Sequence, residues 1–347
     1  MRFGIFTEFE CPPGASEATA FDTSMAQMAA AEALGFDAVW LGELHFQKGR
    51  SVLSSPLVVA AAVASRTTRI RIGIAVQVLP LSQPLRLAED VATVDHLSNG
   101  RLEFGVGRSG LPGHYQGFGI PYAESRDRFT ETLEVLIKAW TQERFSHQGK
   151  YFNFHDVCVL PKPYQKPYPP IRVAATTQET YGLVGRMGLP IFVGVRTTSI
   201  ADVARFIGGY WEGWREAGHP GDGDVGLSLP VYVAETAAAA REEPEASTLH
   251  FIRSMARALQ QADEAGMMTE ARLARARRLE TITYDEVLEQ LVVYGTPEAV
   301  ADKLLALREA IGFTTLAGWM NTGGHIPGER VLRSMRLFAE RVAPRLA

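Results

Sequence analysis

The sequence predicts an α/β chain folded as a (β/α)8 TIM barrel with insertions after strands 4 and 7. Three observations point there: eight apolar segments read as strands, helical segments alternate with them, and the strands end in glycine or polar residues. A barrel of this kind carries its chemistry at the carboxyl ends of its strands.

Arg2 to Phe9 opens the chain as a buried strand with Phe3, Ile5 and Phe6. Thr23 to Leu34 reads as the first helix. Phe36 to Glu43 is the second strand and runs off into Leu44-His45-Phe46, and Pro56 to Arg66 is a helix of small apolar residues. Ile70 to Pro80 is a continuous β-rich run with little polar alternation, which suits a parallel strand covered on both faces. Gln83 to Ser98 is helical in period, with Leu85, Leu87, Val91, Val94 and Leu97 on one broad face. Asn99-Gly100 stops that helix, and Arg101 to Arg108 is the fourth strand. The other four strands are Ile171 to Thr176, Pro190 to Val195, Val225 to Glu235 and Thr314 to Met320. Arg126 to Trp140, Gln178 to Met187, Ile200 to Ala217 and Pro297 to Ile311 are the helices between them.

Two connections exceed a minimal barrel. In Phe145 to Pro170, Gly149 to Val159 reads as an extended excursion, and five prolines from Pro161 to Pro170 enforce an ordered, non-helical path. Thr236 to Gln290 is charged, alanine-rich and helical, and a long insertion at this face is expected to be a lid over one barrel domain spanning 1–347.

With 35 basic and 39 acidic residues the formal charge is -4, so nothing favours nucleic acid or a membrane surface as partner, and a small molecule fits better. Cys11 and Cys158 make no disulfide framework and are expected to be packing residues in a reducing compartment. Met1 to Phe9 reads as a strand, not a leader, and Pro56 to Ala64 is too short to span a bilayer, so the expected location is the cytoplasm.

Glu43 and His45 follow the second strand and place a carboxylate and an imidazole at the barrel mouth, where the imidazole can transfer protons or hydrogen-bond a cofactor. Gly105-Val106-Gly107-Arg108-Ser109-Gly110 ends the fourth strand with small residues and one guanidinium able to grip an oxyanion. Thr176, Thr177 and Thr180 gather hydroxyls at a helix N-terminus, which is a ready phosphate site; one hydroxyl would suffice for a cap. His96, His147, His155 and His219 have no acidic partners at metal-ligand spacing, so no metal is expected. Met267-Met268 in the lid read by default as solvent-facing or packing residues, with substrate contact as the alternative, and His325 after the eighth strand faces the functional end without an assigned role.

Glu43-Leu44-His45-Phe46, Ala75 to Pro80, Pro84 with Ala88-Glu89-Asp90-Val91, and Gly100-Arg101 to Arg108 together resemble the bacterial luciferase family of flavin-dependent monooxygenases. Gly149-Lys150-Tyr151, Pro161-Lys162-Pro163, Gln165, Pro169-Pro170 and Tyr294-Gly295-Thr296-Pro297-Glu298 extend the likeness over the chain. The resemblance implies that Arg108, Thr177 and Thr180 hold the FMN phosphate, with Thr176 where luciferase has a glutamate. It implies a non-proline cis peptide at Ala75-Val76 beneath the isoalloxazine, with Gly107 near the reactive ring edge where luciferase carries a cysteine. Leu44 replaces the first of luciferase's two histidines, leaving His45, and His114 or Tyr115 could serve instead or be surface-loop residues. Val195 stands for a luciferase tryptophan, so neither a long-chain aldehyde nor light emission is implied.

The expected function is therefore an FMN-dependent monooxygenase that uses reduced FMN and O2 through a C4a-peroxyflavin to oxygenate a small organic substrate. A separate NAD(P)H:flavin reductase and a homodimer are implied by the family, with Pro56 to Ser65 as the candidate contact. Rival readings are an F420-dependent hydride transferase of the same fold, disfavoured by Glu43-x-His45-Phe46, and a noncatalytic flavin-binding subunit, disfavoured by Glu43, His45 and Arg108.

Overall fold

The structure, a computed structural model, describes residues 1–196, 198–264 and 270–346. Its strands are β1 (Arg2–Thr7), β2 (Ala38–Leu41), β3 (Arg71–Val78), β4 (Leu102–Gly107), β5 (Phe145–Gln148), β6 (Asn153–Val157), β7 (Ile171–Ala175), β8 (Ile191–Gly194), β9 (Val225–Val233), β10 (Val293–Gly295) and β11 (Thr315–Trp319). Eight of them close into a parallel barrel in the order β1-β2-β3-β4-β7-β8-β9-β11, with β11 returning to β1 and β8 pairing with β9. These are the eight predicted strands, each shorter at one or both ends. Every residue of β4 and β9 is buried, as expected for parallel strands with helices on one side and the packed barrel interior on the other. Trp40 fills that interior, and a Cβ at Gly73 would overlap its ring.

The helices are α1 (Glu17–Ala33), α2 (Pro56–Ala64), α3 (Pro84–Leu97), α4 (Pro112–Gly117), α5 (Ser125–Thr141), α6 (Gln178–Arg186), α7 (Ile200–Glu216), α8 (Ala237–Glu242), α9 (Glu245–Glu264), α10 (Glu270–Thr281), α11 (Tyr284–Gln290), α12 (Pro297–Ile311), α13 (Gly328–Leu337) and α14 (Ala343–Leu346). α1 starts six residues before the expected Thr23, because Ser16 caps it by accepting the Thr19 N–H at 3.0 Å. Leu97 of α3 is 56% exposed, outside the buried arc set by Leu87, Ala88, Val91 and Val94. The extended excursion is an antiparallel hairpin of β5 and β6. The expected lid contains α8 to α11, after which β10 adds to β9 outside the barrel. Met267 and Met268 lie outside the described residues.

Beneath the barrel, Glu103 is buried among Arg2, Arg71 and Arg172. Burial alone would raise its pKa, but the three guanidiniums outweigh burial and hold the carboxyl below its ordinary range. Cys11 is buried as expected, whereas Cys158 is exposed and has no packing role. His147 is buried and not a surface residue: its Nε2 lies 3.3 Å from Glu131. Among the described residues no helix is long and apolar enough to cross a membrane.

Candidate active site

A cavity of about 250 Å³ opens at the carboxyl ends of the barrel strands. Of the residues singled out in the sequence, Glu43, Ala75, Val76, Gly107, Arg108, His114, Thr176, Thr177 and Thr180 line it. His45 and Tyr115 do not.

β3 and β4 build the floor. Their pairing is interrupted between Ile74 and Gln77, and the two residues in that gap, Ala75 and Val76, are joined by a cis peptide as the resemblance implied. Gly107 faces this pair across the sheet, and a Cβ there would run into the Val76 side chain. The absent side chain at Gly107 is thus required by the protein's own packing as well as by any ligand approach.

At one end of the cavity, the Arg108 guanidinium makes one weak hydrogen bond among the described residues, from Nη1 to Ser125 Oγ at 3.3 Å. Across from it Thr177 is the N-cap of α6, yet its side chain caps no backbone N–H. Its hydroxyl instead meets that of Thr180 at 2.7 Å. The Thr180 N–H is taken by the Thr177 carbonyl at 2.9 Å, which leaves the Gln178 and Glu179 N–H groups at the helix start, so guanidinium, hydroxyls and helix N-terminus converge on one space suited to a phosphate. Glu179 in the same turn is turned to Arg126, 3.0 Å away.

Glu43 sits under the mouth with both carboxylate oxygens engaged. Oε1 is 2.8 Å from His45 Nε2 and Oε2 accepts the Val78 N–H at 2.7 Å. His45 therefore stands behind Glu43, its ring packed edge-on to His114 and Phe118. His114 is buried on α4, a helix the sequence did not reveal, so it is not the surface-loop residue considered above. Its Nε2 receives the His45 N–H at 3.4 Å and its Nδ1 lies 3.3 Å from Ser109 Oγ. Burial, then repulsion from His45, pushes its pKa down to about 4, so the ring is neutral. Tyr115 is fully buried and its hydroxyl donates to the Arg108 carbonyl, which ties α4 to the strand end that carries Arg108 and keeps the tyrosine away from the cavity. His325 is also off the cavity, its ring against His250.

The opposite end was not foreseen. Glu8 after β1, Arg50 after β2 and Arg196 after β8 meet there, with Arg50 and Arg196 both bonded to Glu8. Burial raises the Glu8 pKa, but Arg50 and Arg196 more than offset it and keep the carboxyl below its ordinary range. Beside it Glu10 receives the Trp319 indole N–H; burial and the Glu8 charge push its pKa up to about 7. Met255 and Leu259 of α9 cover this end.

The sequence profile of the family described as luciferase-like monooxygenase matches residues 1–315. The 4-hydroxyprotoasukamycin monooxygenase of Streptomyces nodosus subsp. asukaensis is 29% identical, over 90% of this chain and 83% of its own. A monooxygenase structure from Streptomyces bottropensis superposes with a TM-score of 0.83 at 28% identity, over 100% of both chains. The oxygenating constituent of 3,6-diketocamphane monooxygenase from Pseudomonas putida, solved with FMN, has a TM-score of 0.82 at 22% identity over 99% of this chain and 98% of its own, a likeness of fold. The chain spans about half the length of the first curated relatives it matches.

Proposed function

The chain belongs to the luciferase-like monooxygenase family, and from that premise we propose that it is an FMN-dependent monooxygenase. In this reading it takes reduced FMN and O2 and transfers one oxygen atom to a small organic substrate. The observation that carries the reading is the anion cradle: among the described residues the Arg108 guanidinium has one weak hydrogen bond, and the Thr177 hydroxyl meets Thr180 and caps no backbone N–H, on the same cavity as Ala75 and Val76. The donor set fits the phosphate of FMN, and the small residues Ala75, Gly107 and Ala174 leave room for a flat ring beside it.

Bound reduced FMN supplies the electrons that activate O2. Arg108, Thr176, Thr177 and Thr180 bind and orient the phosphate end. Glu43 holds His45 and the end of β3 in place through its contacts to His45 Nε2 and the Val78 N–H, and its residue meets the cavity. Neutral His114 backs Ser109 and adds no charge that would draw water in. Helices α8 to α11 act as the lid, with Met255 and Leu259 excluding water from the reacting end. A separate flavin reductase delivers the reduced cofactor. The protein works in the cytoplasm as a homodimer, for which α2 offers the 71% exposed Val58. The test is equilibrium titration with FMN, reduced FMN and F420: saturable binding of the first two and none of F420 supports the reading, and a preference for F420 overturns it.

A further inference from the structure

We infer that the Arg196 end of the cavity is a carboxylate subsite, and that the substrate is a small organic acid with an apolar body. The inference deepens the proposed function and rests on it only in calling the bound acid a substrate.

The argument is one of charge and hydrogen-bond capacity. Glu8 is fully buried, and its oxygens already receive Arg50 Nε and Nη2 at 2.8 to 3.0 Å and Arg196 Nη1 at 2.6 Å. One carboxylate thus faces two guanidiniums. The neighbouring carboxylate offsets them only in part: the Glu10 charge acts on Arg196, but a pKa of about 7 leaves Glu10 partly protonated at neutral pH, and its oxygens are turned to Trp319, the Thr7 hydroxyl and the Glu8 N–H. A positive charge is left over in a wall where charges need partners.

Arg196 is where that charge is reachable. Its side chain is 27% exposed against 9% for Arg50, and it lines the cavity. Nη1 is used by Glu8, and among the described residues Nε and Nη2 have no hydrogen-bond partner. Nε and Nη2 form one complete edge of the guanidinium, the geometry that takes a carboxylate bidentately. Arg50 Nη1 contributes a further under-used donor, aimed at the thioether of Met255 at 2.8 Å, a weak acceptor.

Position separates this end from the phosphate cradle. The Arg196 guanidinium lies over Phe6 at 4.5 Å and Trp319 at 5.2 Å, on β1 and β11, and β11 stands opposite β4 and Arg108 in the ring of eight strands. Leu44, Met255 and Leu259 complete the wall, so the occupant needs an apolar body as well as its anion.

The test is calorimetric titration with benzoate, phenylacetate and hexanoate and with their neutral amides, with and without saturating FMN, on wild type, R196Q and R196K. At least one acid is expected to bind wild type about tenfold or more tighter than its amide, and R196Q to lose that preference with FMN affinity unchanged. The thermal midpoint of R196Q should fall because buried Glu8 keeps, among the described residues, only Arg50 as guanidinium partner, so the titrations are run below the midpoint of the variant. R196K, which keeps the charge without the planar edge, is expected to fall between them. No preference for any acid, a preference that survives in R196Q, or displacement of the acid by inorganic phosphate would each overturn the inference. Loss of FMN binding with acid discrimination intact would sink the flavin reading alone.

Discussion

Glu43 is joined to Val78 by a buried hydrogen bond, its Oε2 accepting the Val78 N–H at 2.7 Å while its Oε1 holds His45. The carboxylate therefore ties the end of β2 to the end of β3, two residues beyond the Ala75–Val76 pair that floors the cavity. Removing it should unsettle that floor. Glu43→Ala is expected to lower stability by about 1.5 to 3 kcal/mol, the usual size for a hydrogen bond to a charged group, and to weaken FMN binding. Glu43→Gln, whose amide oxygen still accepts from Val78, should lose less of both; urea unfolding and FMN titration of the two variants check this.

Arg108 is assigned to the phosphate rather than the ring. Arg108→Ala should then weaken FMN about tenfold to a hundredfold but leave riboflavin, which lacks the phosphate, nearly unchanged. Thr177→Val should move affinity the same way by less. Equal losses for FMN and riboflavin would take Arg108 off the phosphate.

His114 gives a pH signature. Its folded pKa of about 4 lies below the ordinary 6.5, so on acidification the unfolded chain takes the proton first. Its contribution is complete above pH 6.5 and is lost as pH falls from 6.5 to 4, at most about 3 kcal/mol. Glu10 runs the other way: with its pKa raised to about 7, the folded state holds the extra proton between pH 4.5 and 7 and stability falls as pH rises through that window. The readout is therefore the difference between wild type and His114→Asn, which should widen in favour of wild type from pH 4 to 6.5.

Tyr115 acts through Arg108. Tyr115→Phe removes the donor to the Arg108 carbonyl and should cost about 1 kcal/mol of stability with a modest loss of FMN affinity. Because the ring does not reach the cavity, acid binding at the Arg196 end should be unaffected; a change there would place Tyr115 against the substrate.

The barrel was legible because parallel strands buried on both faces read as unbroken apolar runs, as in β3 and β9. The gathering of Thr176, Thr177 and Thr180 on one cavity was legible because three threonines in one short segment exceed what a cap needs. α4 was not, since six residues with two glycines and a proline carry no helical period; Tyr115 was therefore misplaced, and the burial of His114, which does line the cavity, was missed. The Glu8, Arg50 and Arg196 cluster was hidden for another reason. Its partners are 42 and 188 residues apart in sequence, and a single charge after a strand has no local signature. The one available signal was position: Glu8 and Arg196 each follow an apolar strand at its carboxyl end, as Glu43 does.

The most direct test of the flavin reading is rapid mixing of the anaerobic complex with reduced FMN against O2, following absorbance, with Arg108→Ala beside wild type. The account predicts that wild type slows flavin oxidation relative to free reduced FMN, through a transient species spectrally distinct from both reduced and oxidised flavin, and that Arg108→Ala loses this at the same flavin concentration. Oxidation at the free-flavin rate in wild type and variant alike, with no sign of a complex, would contradict it.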